Sequence, residues 1–296
     1  MKKGGHVILS AVLILLLSAG GCSKIGSIKG DGNKQADTHK IIVNVCDKGT
    51  KKPIEGAKVY IVGDDSCYTT DTIGNTKEIK VDVDKAYFKN YTEQVIKETG
   101  NGFVDVVVIK EGYAKHIELD YTIYPGDFPS VITIAMEPTE KDMFSLKQNY
   151  PDIDYVEKVM GAYESLKAAE ASTQGDAQFV VTIKDGSSQP IANAHVVIPE
   201  MGISAYTSKD GTYTFKACSA VMKDDYPVEK TYNEITVLTY MEGYNSKAVF
   251  RVPVSSKGDN NAITIVLNKT DKPKIEEETV VPETDWIEGM VNYYNK

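Results

Sequence analysis

The side chains that could do chemistry are few, and nothing in their spacing gathers them. Beyond the first twenty-two residues the chain has three histidines, His39, His116 and His195. A zinc centre needs donors at fixed turn or helix spacings, and no H-E-x-x-H, H-x-x-E or C-x-x-C is present. No G-x-S-x-G elbow offers an activated serine, and no G-x-x-x-x-G-K-[ST] loop offers backbone amides to a phosphate. Acidic pairs such as Asp64-Asp65 and Asp224-Asp225 lie in turn-rich stretches, where carboxylates are ordinarily solvated, and their spacing fits no EF-hand. The reading is a non-enzyme that uses no metal and no cofactor.

One cysteine stands where a modification would act. Residues 1–22 read MKKGGHVILSAVLILLLSAGGC: two lysines, an apolar run from Val7 to Leu17, then small residues up to Cys22. A basic start, a short apolar middle and a small-residue end make a secretory signal, and the run is too short to span a bilayer comfortably. Ala19-Gly20-Gly21-Cys22 resembles the lipobox of bacterial lipoproteins, with Ala19 where that family usually carries Leu, Val or Ile. The resemblance implies cleavage after Gly21, a diacylglyceryl group on the Cys22 thiol, and attachment to the extracytoplasmic face of the cell membrane. Two acyl chains, at roughly 0.8 kcal/mol per buried methylene, anchor stably where one would not. The polar stretch 22–39 reads as a flexible tether. Cys46, Cys67 and Cys218 remain; Cys46 and Cys67 fall in one domain and are the candidate disulfide, and the odd count leaves at least one thiol free outside the cell.

Composition narrows the partners. The net charge is −9, and no concentrated Lys/Arg stripe breaks the acidic surface, which argues against nucleic acid. The 18 Tyr against 7 Phe and 1 Trp fit half-buried strand surfaces or a face that binds carbohydrate or protein.

The elements that carry these residues come as a repeat. IIVNVCDKGTKKPIEGAKVYI from Ile41 lines up with FVVTIKDGSSQPIANAHVVI from Phe179, with Pro53-Ile54 matching Pro190-Ile191 and Ala57 matching Ala194. Further on, YTTDTIGNT parallels YTSKDGTYT, with Gly74 and Gly211 at hairpin bends, and the turns Glu111-Gly112-Tyr113 and Glu242-Gly243-Tyr244 correspond. Each unit closes on an alternating strand, VITIAM from Val131 and ITIVL from Ile263. Short β-branched strands with one apolar face predict two tandem β-sandwiches, over residues 40–138 and 177–269. Both carry an insert before the Gly-Tyr strand, about 85–102 and 217–232, which elaborates one loop end of each.

These residues resemble the carboxypeptidase regulatory-like family, whose fold is a prealbumin-like (transthyretin-like, Ig-like) sandwich. The resemblance rests on the two Pro-Ile-x-x-Ala stretches, the hairpins at Gly74 and Gly211 and the two Gly-Tyr turns. It implies a non-catalytic accessory module of exported and surface proteins. Cna-B modules are similar and some carry a Lys–Asn isopeptide; Lys184 and Asn268 could be set against that pattern, but Lys184 falls on the exposed period of its strand.

Between the units, over 139–176, the period changes. Ile153, Val156, Met160 and Tyr163 share a helical face behind Pro151, predicting an amphipathic helix that joins the sandwiches. After residue 270 an acidic, Pro-containing linker leads to a short C-terminal helix with Trp286, Met290 and Tyr293 on one face, which either docks on the second sandwich or binds another protein. The whole reads as a lipoprotein held to the membrane through Cys22, acting as a structural or protein-interaction module at the cell envelope. A module that binds glycan or cell-wall polymer is the alternative.

Overall fold

The computed structural model describes residues 38–82, 102–165, 177–216, 227–228, 232–255 and 261–295. The expected signal 1–21, Cys22, nearly all of the expected tether 22–39, Cys218 and almost all of the expected inserts 85–102 and 217–232 lie outside the described residues.

The alternating apolar periods do what they predict. In β1 (Thr38–Asp47), Ile41, Val43 and Val45 are buried while Ile42, Asn44 and Cys46 alternate outward. β1 is the middle of a three-stranded sheet, antiparallel to β4 (Ile79–Asp82) and parallel to β7 (Ser130–Met136). Facing it is a five-stranded sheet ordered β3 (Tyr68–Thr69), β2 (Lys58–Ile61), β5 (Gly102–Ile109), β6 (Lys115–Ile123), β8 (Phe144–Gln148). The second half repeats this order. β12 (Thr212–Phe215), β9 (Phe179–Asp185) and β15 (Ala262–Leu267) form three strands. β11 (Ile203–Tyr206), β10 (His195–Ile198), β13 (Asn233–Tyr240), β14 (Ser246–Val254) and β16 (Ile275–Thr279) form five. Two tandem β-sandwiches result, each with its own core between its sheets.

The repeated motifs have a shared physical cause. In each unit a buried threonine ties the Pro-Ile-x-x-Ala stretch together. Thr70 Oγ1 donates to the Ile54 carbonyl at 2.7 Å and accepts from the Ala57 N–H at 2.9 Å. Thr207 does the same with Ile191 and Ala194 at the same distances. Gly74 and Gly211 have φ of +78° and +70°, and a Cβ on either would sit 2.5 Å from a carbonyl oxygen of the first strand.

The repeat runs further than the predicted boundaries. β8 and β16 complete their five-stranded sheets as parallel edge strands, so the segment after residue 138 and the acidic segment after 270 are not plain linkers. Each edge strand leads into a helix, α1 (Ile153–Tyr163) and α2 (Thr284–Tyr294). Within α1 the buried face is Tyr155, Val156, Val159 and Met160, while Ile153 is exposed. On α2 it is Trp286, Ile287, Met290, Val291 and Tyr294, so Tyr294 takes the buried place expected of Tyr293. Tyr155, Val156, Val159 and Met160 correspond to Trp286, Ile287, Met290 and Val291, with half-buried Tyr163 in the place of Tyr294, and PDIDYVE from Pro151 lines up with PETDWIE from Pro282.

The helices are exchanged. α1 packs on the outer face of the second sandwich, against Val197, Leu238, Tyr240, Ala248 and Phe250, with Phe103 of the first joining the cluster. The Tyr240 hydroxyl donates to the Met160 carbonyl at 2.7 Å. α2 returns to the first sandwich, packing against Val107, Ile117 and Leu119. The expected docking of α2 on the second sandwich is therefore corrected. Its own unit's outer sheet face is already covered by α1, and the apolar outer face of β5 and β6 is the one left for it. Burying each such side chain contributes roughly 1.5–3 kcal/mol.

Candidate functional site at the seam of the sandwiches

The seam between the units is built on a pair of β-bulges. In β5 and β6 the register shifts between Val104 and Val106; in β13 and β14 it shifts between Ile235 and Val237. A bulge forces one residue out of ladder geometry and re-aims its side chain. The re-aimed residues occupy equivalent places in the two units: Asp120 at φ +56° and Arg251 at φ +59°.

Across the seam these two meet. Arg251 donates from Nε to Asp120 Oδ2 at 2.6 Å and from Nη2 to Asp120 Oδ1 at 2.5 Å, a bidentate pair with both partners buried. Gln148 Nε2 donates to Asp120 Oδ2 at 2.5 Å, and the Asp120 N–H donates to Asp105 Oδ1 at 2.7 Å. Asp105 and Glu234 lie 4.0 and 3.7 Å from the guanidinium. The guanidinium thus faces the carboxylates of Asp120, Asp105 and Glu234. Burial pushes Glu234 up to about 7, against the opposing pull of Arg251. Glu200, half-buried, caps the second bulge by accepting the Thr236 N–H at 2.8 Å, and the burial of its carboxyl raises it to about 7 as well.

A second polar cluster lies on the inner face of β6 and β8, which face each other in register at His116–Ser145 and Glu118–Lys147. His116 Nδ1 is 2.8 Å from Ser145 Oγ, and His116 Nε2 is 3.6 Å from Glu118 Oε2, too long for a hydrogen bond. Glu118 Oε1 accepts from Lys147 Nζ at 2.6 Å and from Asn149 Nδ2 at 3.0 Å. Burial pushes Glu118 up, but the His116, Lys147 and Asn149 side chains outweigh it and hold the carboxyl below its ordinary value. An acid, a histidine and a serine do come together here, which no spacing along the chain foretells. Lys147 and Asn149 both hold Oε1, and Oε2 is the oxygen that stands toward the imidazole. The second unit has Lys247, Val249 and Glu276 in these places, so the cluster is not a requirement of the fold.

The residues singled out by sequence are scattered. Cys22 lies outside the described residues. Cys46 and Cys67 are both free thiols, so the candidate disulfide is not formed. Cys46 is on the outward face of the three-stranded sheet and Cys67 is in the exposed turn before β3. The core lies between them, and stacked sheets sit about 10 Å apart, beyond the ~7 Å α-carbon limit of a disulfide. Asn268 donates its amide to Glu276, at 3.1 Å to each oxygen. Asp64 accepts from the Tyr68 hydroxyl at 2.7 Å and from the Ser66 N–H, as a turn carboxylate does. Among the described residues no group of three or more His, Cys, Asp or Glu is placed to hold a metal. Sequence reasoning passed over Asp120 and Arg251; their shared place after the Gly-Tyr turn, with opposite charges in the two copies, was the available signal.

No family model matches the sequence, and no curated protein matches it. Solved structures do. The Bacillus anthracis TIE protein matches at 13% identity and a TM-score of 0.23, over 78% of this chain and 34% of that one. A streptococcal ancillary pilin matches at 10% identity and 0.23, over 80% and 64%. A putative carbohydrate binding protein from Bacteroides uniformis matches at 12% and 0.23, over 69% and 91%. The chain thus spans about a third of the first and under two thirds of the second.

Proposed function

We propose that the chain is a bacterial lipoprotein, anchored through Cys22 on the extracytoplasmic face of the cell membrane, whose body is a non-catalytic structural or protein-interaction module of the envelope. The observation that carries the reading of the body is the reciprocal exchange of α1 and α2 across a fully buried ion pair. That arrangement spends the buried ionic groups on fixing one relative setting of two domains, a use in which polar groups specify geometry. The Ala-Gly-Gly-Cys stretch supports the anchor, and the paired Pro-Ile-x-x-Ala stretches support grouping both sandwiches with carboxypeptidase regulatory-like modules.

Radiolabelled palmitate fed to cells expressing the full chain tests the anchor. Label is expected on the wild type and lost in Cys22→Ser; an unlabelled wild type, or a labelled Cys22→Ser chain, would refute it. Crosslinking in intact cells, followed by identification of what is held, tests the interaction role.

A further inference from the structure

We propose that the loop between β6 and β7 is a second membrane contact, an aromatic tip that dips into the lipid interface beside the acylated N-terminus. This rests on the lipoprotein reading above. The loop reads Tyr124-Pro125-Gly126-Asp127-Phe128-Pro129, and Phe128 is 86% exposed, the most exposed large apolar side chain among the described residues. Around it Tyr124, Val131, Tyr150 and Ile153 are also exposed. Hydrogen bonds hold this group together: the Tyr124 hydroxyl to Asp152, the Tyr124 N–H to Ser130 Oγ, and the Tyr121 hydroxyl to the Val131 carbonyl. A cluster of this kind on a soluble surface marks an interaction site.

The strand register says what it faces. β1 runs parallel to β7 with Ile41 opposite Ser130, and β1 begins three residues earlier, at Thr38. The chain coming from Cys22 therefore joins the sandwich at the end that carries the Phe128 loop. Sixteen chain steps lead from Cys22 to Thr38, so the covalent chain, at roughly 3.3–3.6 Å per residue, sets the lipid no farther than about 58 Å from the start of β1. That brings the tip within reach of the bilayer to which the lipid is fixed.

The chemistry favours lipid over glycan. The tip is a phenyl ring at the apex of a loop, with no hydroxyl or amide of its own, and the nearby Asp152 carboxylate is already taken by Tyr124. Segment 124–131 carries no Lys or Arg, so apolar burial must drive the contact, and Asp127 makes anionic lipid the poorer surface.

The test uses the full chain, purified from membranes and reconstituted into phosphatidylcholine vesicles with brominated acyl chains. The wild type, whose one tryptophan is the buried Trp286, sets the background. Phe128→Trp is expected to emit to the blue and to be quenched about twofold or more above background, most strongly by bromines roughly 5–10 Å into the headgroup and acyl boundary. Ile73→Trp, exposed at the opposite end of the sandwich, is expected to stay at background. Background quenching of Phe128→Trp, with Cys22 shown by mass spectrometry to carry its lipid, overturns the contact and leaves the anchor standing. A Cys22 without lipid removes the anchor and the proposal with it. A Phe128→Trp shift produced by soluble cell-wall glycan fragments, with no lipid quenching, overturns the proposal in favour of a glycan site.

Discussion

Replacing Arg251 with methionine keeps much of the side-chain stem and removes the charge and all its donors. In the folded protein Asp120 then loses its bidentate partner and keeps Gln148, while Asp105 and Glu234 lose the guanidinium that stands 4.0 and 3.7 Å from them. Breaking a buried pair by removing one member costs roughly 3–5 kcal/mol, because the remaining charge stays desolvated. At about 2–4 °C per kcal/mol for a body of this size, Arg251→Met should melt roughly 6–20 °C below the wild type. Glu234 already sits near 7, so acid neutralises part of the excess charge and the loss should be smaller at pH 5 than at pH 8. Asp120→Asn/Arg251→Met removes both members and is expected to recover at least about half of the loss. Urea unfolding followed by Trp286 fluorescence, with calorimetry for the melting point, gives these numbers. An Arg251→Met protein within about 0.5 kcal/mol of wild type, or a double variant weaker than the single one, would refute the reasoning.

Three further outcomes are expected. Glu200 and Glu234 are raised from 4.5 to about 7 by burial, so each is more easily protonated folded than unfolded. Their contribution to stability is full at acid pH and is lost as pH rises from the ordinary carboxyl range through 7, by up to roughly 3 kcal/mol per group; urea midpoints at pH 5 and pH 8 should show the decline, and Glu200→Gln should flatten it. Gly74→Ala and Gly211→Ala should each cost roughly 1–3 kcal/mol or more from the carbonyl clash. Gly112→Ala, also at positive φ but with nothing within 4 Å of the new Cβ, should cost about 1 kcal/mol; equal losses at all three sites would count against the clash. Thr70→Val and Thr207→Val should each cost roughly 1–3 kcal/mol in thermal melts, since a buried N–H and a carbonyl are left without their hydroxyl.

The strands that bury one face were readable because their apolar residues alternate over several positions, as in Val43 and Val45 or Val181 and Ile183. β8 and β16 were not, because FSLKQ and IEEET are edge strands rich in polar side chains, several of which, such as Lys147 and Gln148, bond to the neighbouring strand, and alternation fades where only one neighbour is paired. Both helices were visible from their period, yet their partners were not. Which sheet a helix covers depends on the outer faces of Val107, Ile117 and Leu119 against those of Leu238, Ala248 and Phe250, and both sets are equally apolar along the chain. The Asp120–Arg251 pair was hidden for a similar reason. It joins positions 131 residues apart, and a bulge, which leaves no local sequence mark here, turns each side chain toward the seam. The His116, Glu118 and Ser145 cluster likewise exists only through the parallel register of β6 with β8.

The exchange of helices is most directly tested by nuclear Overhauser contacts from the indole of Trp286, the single tryptophan of the chain. Contacts to the methyl groups of Val107, Ile117 and Leu119 in the first sandwich are the expected result. Contacts instead to Leu238 and Ala248, the sheet of its own half, would contradict the account.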